Sequence, residues 1–211
     1  MKSLVDKFLS LRCASDVLES VGPMPAATRE ISEAMILIDA IKGFVLKEKT
    51  QRRVLHFCPT YPLAGVLAAH LLPVESTSAI AWRPKRLLGL DRVQNFRINS
   101  MPLSVATWAA SADLADNTLV IANSVNYDLA MDIARFCSAR DLPLAMLPSR
   151  VKRRKLGSGL LAGADPYLAH LTVLSLLTGG DIAVCVADTP SNGLIVRGLQ
   201  TGEKKNEVQN S

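Results

Sequence analysis

Aromatic residues make up only 5% of this 211-residue chain, too few for a surface built on stacked rings. No CxxC pair occurs. The four cysteines, Cys13, Cys58, Cys137 and Cys185, lie far apart, which argues against both a zinc site and a disulfide framework. The three histidines form no cluster either, so no metal is expected. Unpaired cysteines suit a reducing compartment, the cytoplasm or an organelle matrix. The opening MKSLVDKFLSLRCASD lacks a cleavable secretory segment, because Asp6 and Lys7 interrupt its apolar run. Secretion is therefore not expected. Lys2, Lys7 and Arg12 beside Leu4, Phe8 and Leu11 would suit a weak mitochondrial targeting helix, against which Asp6 and Asp16 count. A charge-free stretch from Val54 to Val74 is long enough to span a bilayer. Pro59, Pro62 and Pro73 interrupt it, and His56 and His70 sit within it, so it reads as strand, turn and helix of a soluble protein.

What is present is core material. Apolar residues reach 49%, which excludes a disordered or collagen-like chain and suits one domain of ordinary size. The net charge of +5 arises from 24 Lys and Arg against 19 Asp and Glu. That balance fits an anionic partner without requiring one.

The N-terminal third reads as helical. Leu4, Phe8, Leu11 and Leu18 form a first stripe, broken at Gly22-Pro23. From Thr28, an expected N-cap, Ile31, Met35, Ile38, Ile41 and Val45 recur at helical spacing. Beyond Arg53 short apolar runs alternate with helical patterns. Strands are expected at 54–58, 78–82, 94–98, 118–122, 142–147, 182–187 and 193–197, with helices at 63–72, 84–90, 103–114, 126–140 and 166–178. Asp165-Pro166 is a helix start and Gly179-Gly180 a stop. Residues 188–192 join the last two strands as a hairpin. The expected fold is α/β: a Rossmann-like, doubly wound, seven-stranded and mostly parallel sheet with a C-terminal antiparallel hairpin and N-terminal helices. The expected division is a helical segment over 1–27, the α/β domain over 28–200 and a disordered tail over 201–211.

A helical preface, five β-α units and a closing hairpin, covering Thr28 to Gly198, resemble the class I S-adenosylmethionine-dependent methyltransferases. EISEAMILIDAIKGF followed by RRVLHFCPTYPLAGVLAAHL resembles the helix before their first motif, then the motif itself. NTLVIANSVNYDLAMDIARFCSARDLPLAMLPS is similar to the strand 4, helix and strand 5 segment of the RNA and tRNA ribose methyltransferases. Asp128-Leu129-Ala130 keeps one feature of that subgroup, while Pro148-Ser149-Arg150 stands where its Cys-Cys-His segment would be. The resemblance implies S-adenosylmethionine as cofactor, yet the signature positions are changed. His56 holds the place of the strand-end acid, and Cys58, Thr60 and Pro62 hold the places of the three glycines. Side chains there oppose the close backbone approach that glycine permits. Strand 2 ends in Trp82 and Arg83, with no carboxylate for ribose hydroxyls, although Trp82 could stack on an adenine. Asn123 and Ser124 stand where the family presents polar groups to the methyl acceptor.

The cofactor-site candidates are therefore His56, Cys58, Thr60, Trp82, Asn123 and Ser124, and no catalytic residue is assigned. Each has a plainer reading: His56 and Cys58 as core residues, Trp82 as cover for the sheet, Asn123 and Ser124 as turn residues. Two basic clusters fall on the rim where such sheets bind ligands: Arg83, Lys85 and Arg86, and then Arg150, Lys152, Arg153, Arg154 and Lys155. They suit phosphate contact, or simply a solvated loop. Three functions follow. The favoured one is a pseudoenzyme, a non-catalytic binding or assembly component of an RNA-containing complex. The alternatives are an active RNA methyltransferase with an atypical cofactor loop, and a structural subunit docking on a protein partner. No membrane association is expected.

Overall fold

The computed structural model describes residues 3–47, 52–81, 89–100, 105, 108, 114–149, 165–184 and 193–199. Two short helices, α1 (Leu4–Leu9) and α2 (Ala14–Val21), precede the long α3 (Ala27–Lys47). Then follow β1 (Arg52–Cys58), α4 (Leu63–Leu71), β2 (Val74–Ala81), a 3₁₀ turn (Leu90–Arg92), β3 (Phe96–Ser100), β4 (Thr118–Val125), α5 (Tyr127–Ala139) and β5 (Leu144–Pro148). The chain continues through α6 (Pro166–Thr178), β6 (Asp181–Val184) and β7 (Gly193–Arg197).

The sheet runs β3-β2-β1-β4-β5-β7-β6, and β7 pairs antiparallel with both β5 and β6. This is the expected α/β architecture, with its antiparallel edge. After β3 the chain crosses back to lay β4 beside β1, so the topological switch point lies between those two strands. In open α/β sheets the crevice at that point, at the C-terminal ends of the strands, is the usual ligand position.

The strands alternate between two cores. Val54 and Cys58 of β1 face a core shared with α1, α2, α3 and α4, while Leu55 and Phe57 face one shared with α5 and α6. Phe8, Val17 and Val21 of the first two helices are buried in the former. Helix α1 packs on α3 and α2 on α4, and residues 30–38 of α3 are buried all round. No described helix is long and apolar enough to cross a membrane.

Several boundaries differ from expectation, each for a local reason. The first stripe is two helices, with Ser3 and Asp6 forming a capping box on α1. Thr28 is not a cap, because α3 begins a residue earlier and Glu30 already donates its N–H to Ala26. Strand β2 begins four residues before the expected start, its polar Glu75–Ser78 stretch having hidden it. Strand β3 begins after Asn95, whose left-handed φ of 57° closes the preceding turn. Helix α6 keeps its expected limits, with Asp165 accepting from Tyr167 and Leu168 and with Gly179 left-handed at its end. Of the helix expected at 84–90 only Gly89 and Leu90 are described, and they open the 3₁₀ turn; the rest of it, most of that at 103–114, the 188–192 connection and the 201–211 tail lie outside the described residues.

Candidate functional site

At the switch point the C-terminal ends of β1 and β4 bring His56 and Asn123 together. His56 Nε2 and Asn123 Oδ1 are 2.8 Å apart, and the Gly65 N–H donates to His56 Nδ1 at 3.1 Å. Gly65 lies in the first turn of α4, where backbone donors lack helical partners. Pro62 stands at the N-cap of that helix and offers no side-chain bond, so His56 does the capping from the sheet below. Closeness is required here: a Cβ on Gly65 would lie 3.0 Å from His56 Nδ1 and 3.1 Å from Phe96 Cε2.

The network continues into α3. Asn123 Nδ2 donates to Glu33 Oε2 at 3.2 Å, and Ser124 Oγ donates to the same oxygen at 2.7 Å. Arg29 donates through Nη2 to Ser124 Oγ, and its Nε lies 3.1 Å from Glu33 Oε1. Ser124 reaches the carboxylate because β4 is irregular there. Its pairing with β5 shifts register between Asn123 and Val125, and Ser124 adopts a left-handed φ of 52°. Such bulges re-aim side chains and accumulate beside functional sites.

Donor and acceptor chemistry fixes the hydrogens. A carboxylate only accepts, so the Asn123 NH₂ must face Glu33 and its oxygen must face His56. His56 therefore carries its hydrogen on Nε2 and accepts at Nδ1. Burial lowers the His56 pKa to about 4 despite the Asn123 bond, which holds the ring neutral. The side chain has no solvent exposure and both nitrogens are used. It serves structure here and has no free lone pair for base catalysis.

Glu30 stands beside this network. Burial raises its carboxyl pKa and the nearby Glu33 adds to the rise, outweighing Arg29 and a bond from Asn123. Burial, with the Glu30 charge adding to it, also pushes the Cys58 thiol far up, so Cys58 is not a ready nucleophile. Thr60 is half-buried in the Pro59–Pro62 connection. The structure thus joins His56, Asn123 and Ser124 directly and sets Cys58 close by. Trp82 and all eight expected basic contacts, Arg83, Lys85, Arg86, Arg150, Lys152, Arg153, Arg154 and Lys155, lie outside the described residues. Among the described residues no group of three metal-ligating side chains occurs.

Sequence reasoning missed Arg29, Glu30 and Glu33. A signal existed, since Glu30 and Glu33 interrupt a helix stretch that is otherwise almost wholly apolar. In the methyltransferase reading, the positions for cofactor glycines and acid are filled by a buried thiol, a threonine, a proline and a doubly bonded imidazole. These four residues do not fit S-adenosylmethionine in the manner the resemblance implies.

No family model matches the chain, and no curated protein matches it. Among solved structures, a mutant of MtNAS in complex with S-adenosylmethionine is similar over 92% of this chain and 68% of its own, with 12% identity and a TM-score of 0.47. An O-methyltransferase family 2 protein from Planctomyces limnophilus in complex with apigenin is similar over 91% and 68%, with 9% identity and a TM-score of 0.48. The methyltransferase CalO6 is similar over 88% and 74%, with 14% identity and a TM-score of 0.40. By the order and direction of its own seven strands, the chain has a Rossmann-like, mostly parallel α/β fold with an antiparallel edge.

Proposed function

We propose that this protein is a methyltransferase-fold pseudoenzyme with an eroded cofactor site, acting as a binding or assembly component of an RNA-containing complex. The observation that supports it best is the network from Gly65 through His56 and Asn123 to Glu33, which ties α4, β1, β4 and α3 together at the switch point. Residues that would line a crevice in a cofactor-binding relative are spent on one another here. Binding a cofactor at this point would mean breaking buried hydrogen bonds, worth about 0.5–1.5 kcal/mol each for the neutral ones and about 1.5–3 kcal/mol for the one to the Glu33 carboxylate. The RNA part of the reading rests on the sequence, on its net charge of +5 and its basic run at 150–155.

RNA binding is tested by titrating single-stranded RNA over a range of salt. Replacing Arg153, Arg154 and Lys155 together with alanine should flatten the slope of log affinity against log salt by about 2, at about 0.7 for each phosphate no longer neutralised. An unchanged slope removes the role given to that run.

One observation favours a second reading, that of an active enzyme. Glu30 brings a carboxyl close to Cys58 at the end of β1, near where the family's strand-end acid acts. In that reading an acid on α3 replaces the one lost from β1, and Glu30→Gln should abolish binding of S-adenosylmethionine.

A further inference from the structure

The opposite edge of the sheet carries a second polar site. Leu55 of β1, Ser78 of β2 and Arg97 of β3 are successive register partners, so their side chains leave the same face. Ser76 lies one alternation earlier on β2 and shares that face. Strands of a parallel sheet are ordinarily apolar on both faces, yet β2 sets two half-buried serines here and β3 an exposed arginine. Departures of this kind are where functional or strained sites are expected, and neither serine side chain has a hydrogen bond among the described residues. Over it lies a cavity of about 400 Å³, whose described lining includes Arg53, Glu75, Ser76, Ser78, Asn95 and Arg97. That size is within the range of small-molecule sites.

The charges in the cavity are unequal. Arg53 donates to Glu75 Oε1 through Nε at 3.0 Å and Nη2 at 2.6 Å, and Asn117 reaches the other oxygen at 3.4 Å. Glu75 is thereby neutralised. Arg97 has no hydrogen bond or ion pair among the described residues. Among the described residues, the cavity therefore presents one guanidinium without a counter-charge beside two hydroxyls. A carboxylate's two oxygens could also take these donors, but a phosphate, with three terminal oxygens and the greater negative charge, gains more from a guanidinium fork and two hydroxyls together.

We propose that this cavity binds a small phosphate-bearing metabolite, with Arg97 gripping the phosphate and Ser76 and Ser78 donating to its oxygens. The site is at the N-terminal ends of the strands, on the far rim from His56 and Asn123. The test uses the full chain and inorganic phosphate as probe, followed by amide NMR at constant ionic strength. Saturable shifts are expected at residues 53, 76, 78, 95 and 97. Arg97→Met should weaken binding about tenfold, the size of one charge-assisted hydrogen bond. Arg97→Lys, which keeps the charge and loses the fork, should recover part of it. Arg97 is exposed, so both variants should fold, and their amide spectra report whether they do. The absence of saturable shifts, shifts confined to other residues, or an affinity unaffected by Arg97→Met would each overturn the proposal.

Discussion

Asn123 accepts the His56 Nε2 hydrogen at 2.8 Å and turns its own NH₂ toward Glu33. The two residues lie on neighbouring strands, 67 positions apart in the chain. The Glu33 carboxylate fixes the amide, the amide fixes the imidazole tautomer, and one run of donors leads from α4 to α3. That run places the polar centre of the molecule at the topological switch point, where a ligand would otherwise lie.

His56 makes stability depend on pH. Its folded pKa of about 4 is below the ordinary 6.5, so between these values the unfolded chain binds more protons. The contribution is therefore fully present above pH 6.5 and is lost as pH falls through 4, amounting to about 3 kcal/mol. His170, also lowered to about 4 by burial, acts in the same direction. Glu30, raised by burial, acts oppositely, favouring the folded state more as pH falls. Urea midpoints across this range should fall toward acid, and His56→Gln should fall less steeply than the parent. Parallel curves for the two proteins would show that His56 does not take up a proton on unfolding.

Glu33 accepts hydrogen bonds from Asn123 and Ser124, forms an ion pair with Arg29, and is 1% exposed. Glu33→Ala strands Asn123 Nδ2 and Ser124 Oγ and should cost about 3–5 kcal/mol in urea denaturation. Arg29→Ala leaves the Asn123 and Ser124 bonds in place but removes the counter-charge of a buried carboxylate, so it should cost about 1–3 kcal/mol, less than Glu33→Ala. Equal losses for the two variants would mean that the network is not centred on Glu33.

The cysteines should differ in reactivity. Burial pushes the Cys137 thiol up to about 12 and Cys58 beyond it, whereas Cys13 is half-buried. Alkylation of the native protein, mapped by mass spectrometry, should label Cys13 well before Cys58 or Cys137. Early labelling of Cys58 would mean that the end of β1 is open to solvent.

The alternation of short apolar runs with helical stripes was enough to read the sheet, because strands such as β4 and β5 are buried on both faces. The start of β2 was hidden because Glu75, Ser76 and Ser78 face a polar cavity rather than a helix. His56 was recognisable as a candidate, though periodicity does not distinguish core from crevice for a histidine. Glu30 and Glu33 escaped notice for a different reason. On a lone amphipathic helix two acids three residues apart belong to the solvent face, whereas residues 30–38 of α3 are buried all round and its exposed side chains lie only outside that stretch. Which residues share the switch point is a property of the long-range pairing of β1 with β4, and no local pattern encodes it.

The central claim is that the switch-point residues are spent on one another. Calorimetric titration of the folded protein with S-adenosylmethionine, carried to millimolar concentrations, tests it most directly. No saturable heat is expected. One-to-one binding that is lost in Glu30→Gln would contradict it and would establish instead that an acid on α3 has taken over the role of the one missing from β1.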